Sequence, residues 1–460
     1  MHGKLCSLRI LLACLVVALT AVPSRGEEVS DSTAPTATPA ATPAPDPSAE
    51  LGSGPLAGPR WGRPPLTGDW LGSRRWLAER GLTLGIDVVN ITQSIVDGGT
   101  DGDTENNGSV YMEMHFDSQK AGLWPGGFLD FRVEKSYGET INAKTATVLG
   151  ANMVGLFPDQ DDKTVVVSKL LLAQFLTEWA GVLLGRFDSA DGEGNHFASG
   201  RGRTQFFNPR LTFSPQAAVT TPYVLNGGGG LFLIPSLAPG HPGTLNLMVA
   251  DPQVAPDESG FDDDFFDEWW VGGELHVPTR FFDLPGSQNF AFTYNTIERL
   301  TLGSLRDLIL PGQEPDRTKT WTVSYNFHQY FHVRDSQDSP ALGYDANTPQ
   351  LEGSGVFGRF AASDDDLGIN NLYFALGLGG RGLGGWRRSD TYGAAGFLTW
   401  GGDADKLPIL DLKDETWGVE LFYNAEILPS IHVTPDLQFL GPLLDVDTAV
   451  VLGLRVKVDL

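Results

Sequence analysis

Strict alternation of apolar and polar residues is the strongest pattern in the chain. Between Val446 and Leu460 the even positions carry Val446, Thr448, Val450, Leu452, Leu454, Val456, Val458 and Leu460. The odd positions carry Asp447, Ala449, Val451, Gly453, Arg455, Lys457 and Asp459. Successive side chains of a strand point to opposite faces, so this segment is a strand with one face apolar except for Thr448. Its other face is of mixed charge, with Arg455, Lys457 and Asp459 expected to meet water. The same period recurs upstream. Leu82, Leu84, Ile86 and Val88 alternate with Thr83, Gly85, Asp87 and Val89, and Met112, Met114 and Phe116 with Glu113, His115 and Asp117. Leu129, Phe131 and Val133 flank Asp130, Arg132 and Glu134. Trp321, Val323, Tyr325 and Phe327 form one face of a further strand, and Trp417, Val419, Leu421 and Tyr423 one face of another. Weaker alternation marks 181–188, 244–251, 269–277, 290–297, 372–379 and 392–400.

Turn-rich, often acidic stretches separate these strands, at 97–108, 158–162, 257–267, 310–316, 335–355 and 401–414. Some connections are tight and others long, as in a membrane barrel with short turns at one rim and long loops at the other. A soluble sheet can alternate in this way, but a transmembrane barrel requires it, with lipid outside, water inside and ~10 residues per crossing. The sequence thus predicts an all-β chain closed into a transmembrane antiparallel β-barrel over 82–460, with room for roughly 14–18 strands. Trp269, Trp270, Phe281, Phe282, Trp400 and Trp417 fall near strand ends, where interfacial aromatic girdles are expected.

The first 81 residues follow other rules. Lys4 and Arg9 precede an apolar run over 10–22 and small residues Ser24 and Gly26, so 1–26 reads as a signal peptide. Cleavage before Cys14, as in a lipoprotein, fits less well because the apolar run continues past it. Residues 27–65 are rich in Pro, Ala and Thr and read as an extended spacer that buries no core. From 66 to 81 a short N-terminal helix is predicted, with Thr67 or Asp69 as cap and Gly81 as stop.

Charge and cysteine content narrow the function. The net charge is −25, and the segment to Gly26 holds three basic residues and no acidic ones, which leaves −28 on the remainder. No nucleic acid partner suits such a surface, since phosphate binding needs basic patches. Both cysteines, Cys6 and Cys14, lie in the signal segment, so no disulfide or thiolate metal site is expected beyond it. The 97–105 loop has acidic spacing like a calcium loop, but Gly108 stands where the bidentate Glu would be. It reads as a solvated acidic loop, as do 262–264 and 364–366. His328 and His332 have the spacing of a helical zinc motif, yet they sit on a strand that holds them roughly 13 Å apart. Gly227 to Gly230 reads as a flexible turn. No nucleophile elbow is present, so neither an enzyme nor a cofactor is expected.

Several short motifs resemble the carbohydrate-selective porins of the OprB type. Asp69-Trp70-Leu71-Gly72, followed by Leu77-Ala78-Glu79-Arg80-Gly81, resembles that family's entry motif. Thr204-Gln205-Phe206-Phe207-Asn208-Pro209 and Val356-Phe357-Gly358-Arg359-Phe360 resemble internal segments. Glu420-Leu421-Phe422-Tyr423, Thr434-Pro435-Asp436-Leu437-Gln438-Phe439 and Gly453-Leu454-Arg455 resemble the closing series. The resemblance runs from about Leu66 to Leu460 and implies a 16-stranded barrel in a Gram-negative outer membrane that passes sugars down their gradient. It also implies a barrel-assembly machinery as a partner. Leu460 departs from the aromatic residue with which that family ends.

A sugar pore should offer charged and amide groups to hydroxyls and aromatic faces to C–H groups, with binding weak enough for release. Alternation places Glu113, Asp130, Arg132, Glu134, Arg186, Asp188, Glu274, Arg359 and Glu420 toward the lumen as candidate sugar-contacting residues. Arg132 with Glu134, and Arg186 with Asp188, set opposite charges two residues apart. The competing reading makes them wall salt bridges that stiffen a polar lumen. Arg201, Arg203 and Arg210 lie in a long connection that either folds inward or stays at the surface. Three functions remain open at this point: a sugar porin, a general or ion-selective porin on the same scaffold, and a secreted soluble all-β carbohydrate-binding protein.

Overall fold

The computed structural model describes residues 65–158, 165–191, 193–238, 241–256, 258, 267–301, 304, 316–334, 351–366, 371–385, 387–401 and 412–460. The signal segment expected over 1–26 and, but for its last residue, the spacer expected over 27–65 lie outside the described residues. Sixteen antiparallel strands form one closed barrel in which each strand pairs with its sequence neighbours. They are β1 (Leu82–Asp97), β2 (Thr104–Asp117), β3 (Gly127–Gly138), β4 (Val166–Phe175), β5 (Ala180–Asp188), β6 (Val224–Ile234), β7 (Gly243–Asp251) and β8 (Trp270–Phe281). The second half comprises β9 (Leu284–Leu300), β10 (Arg317–Val333), β11 (Gly353–Ser363), β12 (Leu372–Arg381), β13 (Thr391–Trp400), β14 (Thr416–Leu428), β15 (Ile431–Leu440) and β16 (Ala449–Asp459). The barrel shuts where β16 pairs with β1, from Asp87 opposite Asp459 to Asp97 opposite Val450. Closure leaves no unpaired edge, the condition for strands to cross a membrane. No helix among the described residues is long and apolar enough to cross one.

The outward parity of the strands carries the apolar set. Phe374, Leu376 and Leu378 on β12, and Trp417, Val419 and Leu421 on β14, are all exposed. One rim has connections as short as 282–283 and 429–430, whereas the other has 139–165 and 189–223. The short-turn rim, which also holds Leu82 and Asp459, is called lower here. Trp76, Trp124, Trp179, Phe281 and Phe282 are exposed along it. Trp270 departs from the expected girdle. It points inward, is buried, and donates from Nε1 to Thr221 Oγ1 at 3.1 Å.

Below the barrel, a one-turn segment Trp70–Gly72 leads into α1 (Ser73–Ala78). Asp69 Oδ1 accepts the Arg75 N–H at 3.0 Å, and Thr67 Oγ1 accepts from Trp70 Nε1 at 3.1 Å. Gly81, at φ 81°, ends the helix, and a Cβ there would run into the Asp117 carbonyl. Arg74 Nη2 donates to the Leu460 carbonyl at 2.6 Å, and the Leu66 N–H to that of Asp459 at 2.7 Å, so the segment leading into β1 is tied to the lower end of β16.

Two parts of the sequence reading are corrected by the barrel. Gly227 to Gly230 are no turn but the middle of β6, paired with β5 from Gly227 opposite Gly185 to Gly230 opposite Val182. Glycine disfavours strands in isolation, yet two neighbours fix this one on both sides. Side chains fill the space it leaves: a Cβ on Gly229 would lie 2.9 Å from the side chain of Met248 on β7, and one on Gly230 2.9 Å from the ring of Phe232 on β6 itself. Arg455, on the face expected to meet water, is instead fully buried. Its Nη1 donates to the carbonyls of Gly202 and Gln205 at 2.6 and 2.9 Å, and its guanidinium lies 4.4 Å from the Phe207 ring centre. The lumen is occupied there by chain rather than by water.

Candidate channel constriction

The segment in the lumen is the β5–β6 connection, 189–223, which folds inward instead of over the surface. Local sequence directs the path. Gly200, Arg201 and Gly202 all take positive φ, at 78°, 54° and 70°, and reverse the chain inside the barrel. A Cβ on Gly202 would sit 2.9 Å from that of Met153, so only glycine fits against the neighbouring connection. Pro209 and Pro215 then open two short helices, α2 (Pro209–Thr212) and α3 (Pro215–Thr220). The Asn208 side chain caps α2 by accepting the Arg210 N–H at 3.0 Å.

On the β10–β16 side this connection is locked by packing and backbone hydrogen bonds. Phe206 lies 4.7 Å from Phe422 and 5.6 Å from Phe357, ring centre to ring centre. Glu420 accepts the N–H groups of Phe207 and Asn208 at 2.5 and 2.9 Å. Arg359 donates to the carbonyls of Ala198, Leu211 and Thr212 and bridges Glu193 at 3.0 Å. The Thr204–Pro209 stretch that resembles a family motif thus lies within this packing.

On the β1–β5 side the contacts are ionic. Arg132 reaches Glu113 at 2.5 Å, Asp191 at 2.7 Å and Asp188 at 3.1 Å. Arg201 bridges Asp188, and reaches Glu134 at 3.4 Å. Arg203 bridges Asp87, and Lys169 bridges Asp191. The ring of Tyr111 lies under all three guanidinium groups, 3.6 Å from Arg203, 5.1 Å from Arg201 and 5.5 Å from Arg132. Tyr223 donates to Glu134 at 2.5 Å. Burial opposes ionisation of Asp191, but Arg132, Lys169 and Arg201 outweigh it and hold that carboxyl well below the usual carboxylate range.

Two cavities adjoin this ladder of charges. The upper one, about 160 Å³, lies between the connection and the β6–β10 wall and is lined by Asp188, Glu193, Trp270 and Glu274 among others. The lower one, about 350 Å³, is lined by Asp87, Tyr111, Glu113 and Asp459, with Arg74 and Arg75 contributed by the N-terminal segment.

The nine lumen candidates therefore separate. Glu113, Arg132, Glu134 and Asp188 meet in the ladder. Asp130 pairs lower on the wall with His115 at 2.7 Å. Glu274 faces the upper cavity, with its Oε1 lacking a hydrogen-bond partner. Arg359 and Glu420, both fully buried, serve as anchors of the inserted connection. Arg186 does not face the lumen with Asp188: it shares the parity of exposed Val182 and Leu184. Its guanidinium is held by Asn226 at 3.0 Å and by the carbonyls of Val167 and Glu258. The period-two count fails there because Asp188 is the last residue of its strand, where the chain turns into the lumen. Asp87, Lys169, Asp191, Tyr111 and Tyr223 also belong to the cluster, although sequence reasoning does not single them out. Asp87 and Tyr111 have the right parity. Asp191 and Tyr223 lie in the connection, where no period applies. The carboxylates of Asp103 and Glu105, in the calcium-like loop, are both engaged by Lys144.

A closed 16-stranded barrel with an apolar exterior and a long connection narrowing its lumen defines a porin. The family model for the carbohydrate-selective porins of the OprB family matches residues 102–460, and the chain belongs to that family. It is an outer-membrane channel for diffusion of carbohydrates, not an enzyme. The high-pH structure of Pseudomonas putida OprB superposes with a TM-score of 0.71 at 18% identity, covering 86% of this chain and 99% of that one. The low-pH structure of the same protein gives a TM-score of 0.51 at 16% identity, covering 88% and 99%. No curated protein sequence matches the chain.

Proposed function

We propose that mono- or small oligosaccharides pass from the upper cavity along the ladder of Arg132, Arg201 and Arg203 into the lower cavity, and that this ladder sets the selectivity. The observation that carries the reading is the position of the ladder between two cavities. Asp188 lines the upper one, and Tyr111 and Glu113 line the lower. Arg132 and Glu113 keep 11% and 24% of their side-chain surface accessible, so both can exchange partners with a passing solute. Interleaved guanidinium and carboxylate groups offer donors and acceptors to vicinal hydroxyls without favouring one sign of ion. Tyr111 and Trp270 supply aromatic surface at the two ends. The short-turn rim with α1 faces the periplasm, as in other bacterial barrels. Planar-bilayer conductance tests the proposal. Glucose or a short oligosaccharide is expected to reduce the ion current in a saturable way, and replacing Glu113 and Arg132 by Gln and Met to weaken that block. Conductance indifferent to every sugar would leave a general diffusion pore.

A further inference from the structure

We propose that the upper cavity is a binding subsite for an amino sugar, whose protonated amine is held by Glu274 before the molecule enters the ladder. The inference rests on the reading that sugars traverse this cavity, and adds a substrate class to it.

Asp188, Glu193 and Glu274 all line the cavity, and they are not equivalent. Asp188 is neutralised by Arg132 and Arg201. Glu193 is bridged by Arg359 at 3.0 Å and accepts the Ser214 N–H at 3.2 Å. Glu274 has no such partner. Among the described residues no arginine or lysine pairs with it, and its Oε1 is screened from solvent without a hydrogen bond. Withdrawing a carboxylate from water without a counter-charge is unfavourable, and a bound cation offsets that cost.

Neighbouring strands supply further acceptors. Asn246 on β7 stands opposite Glu274 on β8, and Gly272, the next inward residue of β8, stands opposite Thr293 on β9. Asn246 is 5% exposed, lines the cavity and leaves its Oδ1 without a partner. Thr293 lines it too, and its Oγ1 is likewise unpartnered. Three oxygens that lack donors thus face one cavity from three adjacent strands. An ammonium group carries three N–H donors and no acceptor, which is the complement of that set.

The remaining wall suits a pyranose ring rather than a bare ion. Trp270 lines the cavity with its ring packed over Gly272, where any Cβ would collide with it, and its Nε1 bond to Thr221 fixes the ring. Phe187, Phe213 and Met248 extend the apolar wall, and Thr322 and Ser324 add hydroxyls. An aromatic face attracts both an ammonium and the polarised C–H groups of a sugar. The cavity of about 160 Å³ has room for about ten waters, enough for one sugar ring and too little for a chain of them. A hydrated metal ion gains nothing from such a wall. The net charge of −25 also draws cations toward the barrel mouth.

Isothermal titration of the folded, detergent-extracted barrel with glucosamine hydrochloride, at a pH that keeps the amine protonated, and with glucose reads the site directly. Glucosamine should bind about ten-fold more tightly than glucose, the size of one charge-assisted hydrogen bond. N-acetylglucosamine, the same ring without the charge, should bind no more tightly than glucose. In Glu274→Gln, which removes the charge and keeps the shape, the ratio of the two affinities should fall to about one. Thr293→Val deletes one acceptor and should lower the ratio part of the way. Heat-modifiable migration identifies the folded barrel in each variant. Equal affinities for glucosamine and glucose in the wild type overturn the proposal, as does a ratio that survives both substitutions. Cyclohexylamine bound as tightly as glucosamine would assign the cavity to apolar amines and overturn it too. Glucosamine binding that is lost in Glu274→Gln, in a channel whose current no sugar blocks, would sink the ladder pathway and leave this subsite standing. Saturable block by glucose without any preference for glucosamine would do the reverse.

Discussion

The inserted connection rests on the two halves of the barrel in unlike ways. Toward β10–β16 it is held by Phe206, by Arg359 on carbonyls and by Glu420 on backbone N–H groups, all fully buried. Toward β1–β5 it is held by Arg201 and Arg203 against Asp188, Glu134 and Asp87, beside two cavities. The first set has no freedom to act on a solute, because every group is fully buried and engaged within the protein. The second lies beside both cavities, and next to the buried Arg201 and Arg203 the side chains of Arg132 and Glu113 keep 11% and 24% of their surface accessible. One half is therefore a rigid mount and the other the proposed working surface, although both are built from arginine and carboxylate.

The sharpest test of this contrast is Arg359→Leu. It strips a buried cation from three carbonyls and Glu193, and about 3–5 kcal/mol of stability should be lost. The thermal midpoint of heat-modifiable migration should fall, and the open channel should flicker as the connection loosens. Glu420→Ala leaves the N–H groups of Phe207 and Asn208 without acceptors, at about 1–3 kcal/mol for each orphaned donor. It should reproduce the same phenotype.

On the opposite half, Arg201→Gln or Arg203→Gln also removes a buried cation and should lower the midpoint as well, but unlike Arg359→Leu either should change selectivity. Reversal-potential measurements should show increased cation preference, and the block by sugar should weaken several-fold. A wild-type sugar block in both variants would place selectivity elsewhere.

Asp191→Asn gives a smaller effect with a defined pH dependence. A carboxylate whose folded pKa is lowered stabilises above its unfolded pKa, and that contribution disappears as pH falls through the folded value. The folded value of Asp191 lies well below the usual range. The variant's midpoint should thus be lower than wild type at pH 7 and equally so at pH 5, and the gap should close only at pH below about 4.

Lys144→Gln should change least. Its bridges to Asp103 and Glu105 are at the exposed upper rim, and exposed pairs contribute little. Neither midpoint nor conductance should move, which makes it the control for charge removal as such.

Much of this architecture is legible in the residues alone. Period-two alternation marks β1, β2, β10, β14 and β16 directly, because a wall with lipid on one side and chain or water on the other imposes that period. The strands without it escape. The run Leu170-Leu171-Leu172 in β4 is apolar on both faces, since its inner face meets a buried cluster including Phe128 and Leu183. β6 hides behind its glycines, whose place in the sheet is set by β5 and β7. β11 begins inside a stretch that reads as turn, and β15 carries Pro435, whose missing N–H disfavours a central strand.

The barrel, its outward face and the parity of Glu113, Asp130, Arg132 and Glu134 follow from residue order, because local geometry alternates the side chains of a strand. What fills the lumen follows from tertiary contacts instead. The direction of 189–223 depends on pairing Arg203 with Asp87 and Asn208 with Gln438, residues 116 and 230 positions apart. No local period encodes such contacts. They separate Arg359 and Glu420, which hold the connection, from Arg132 and Glu113, which keep part of their surface accessible.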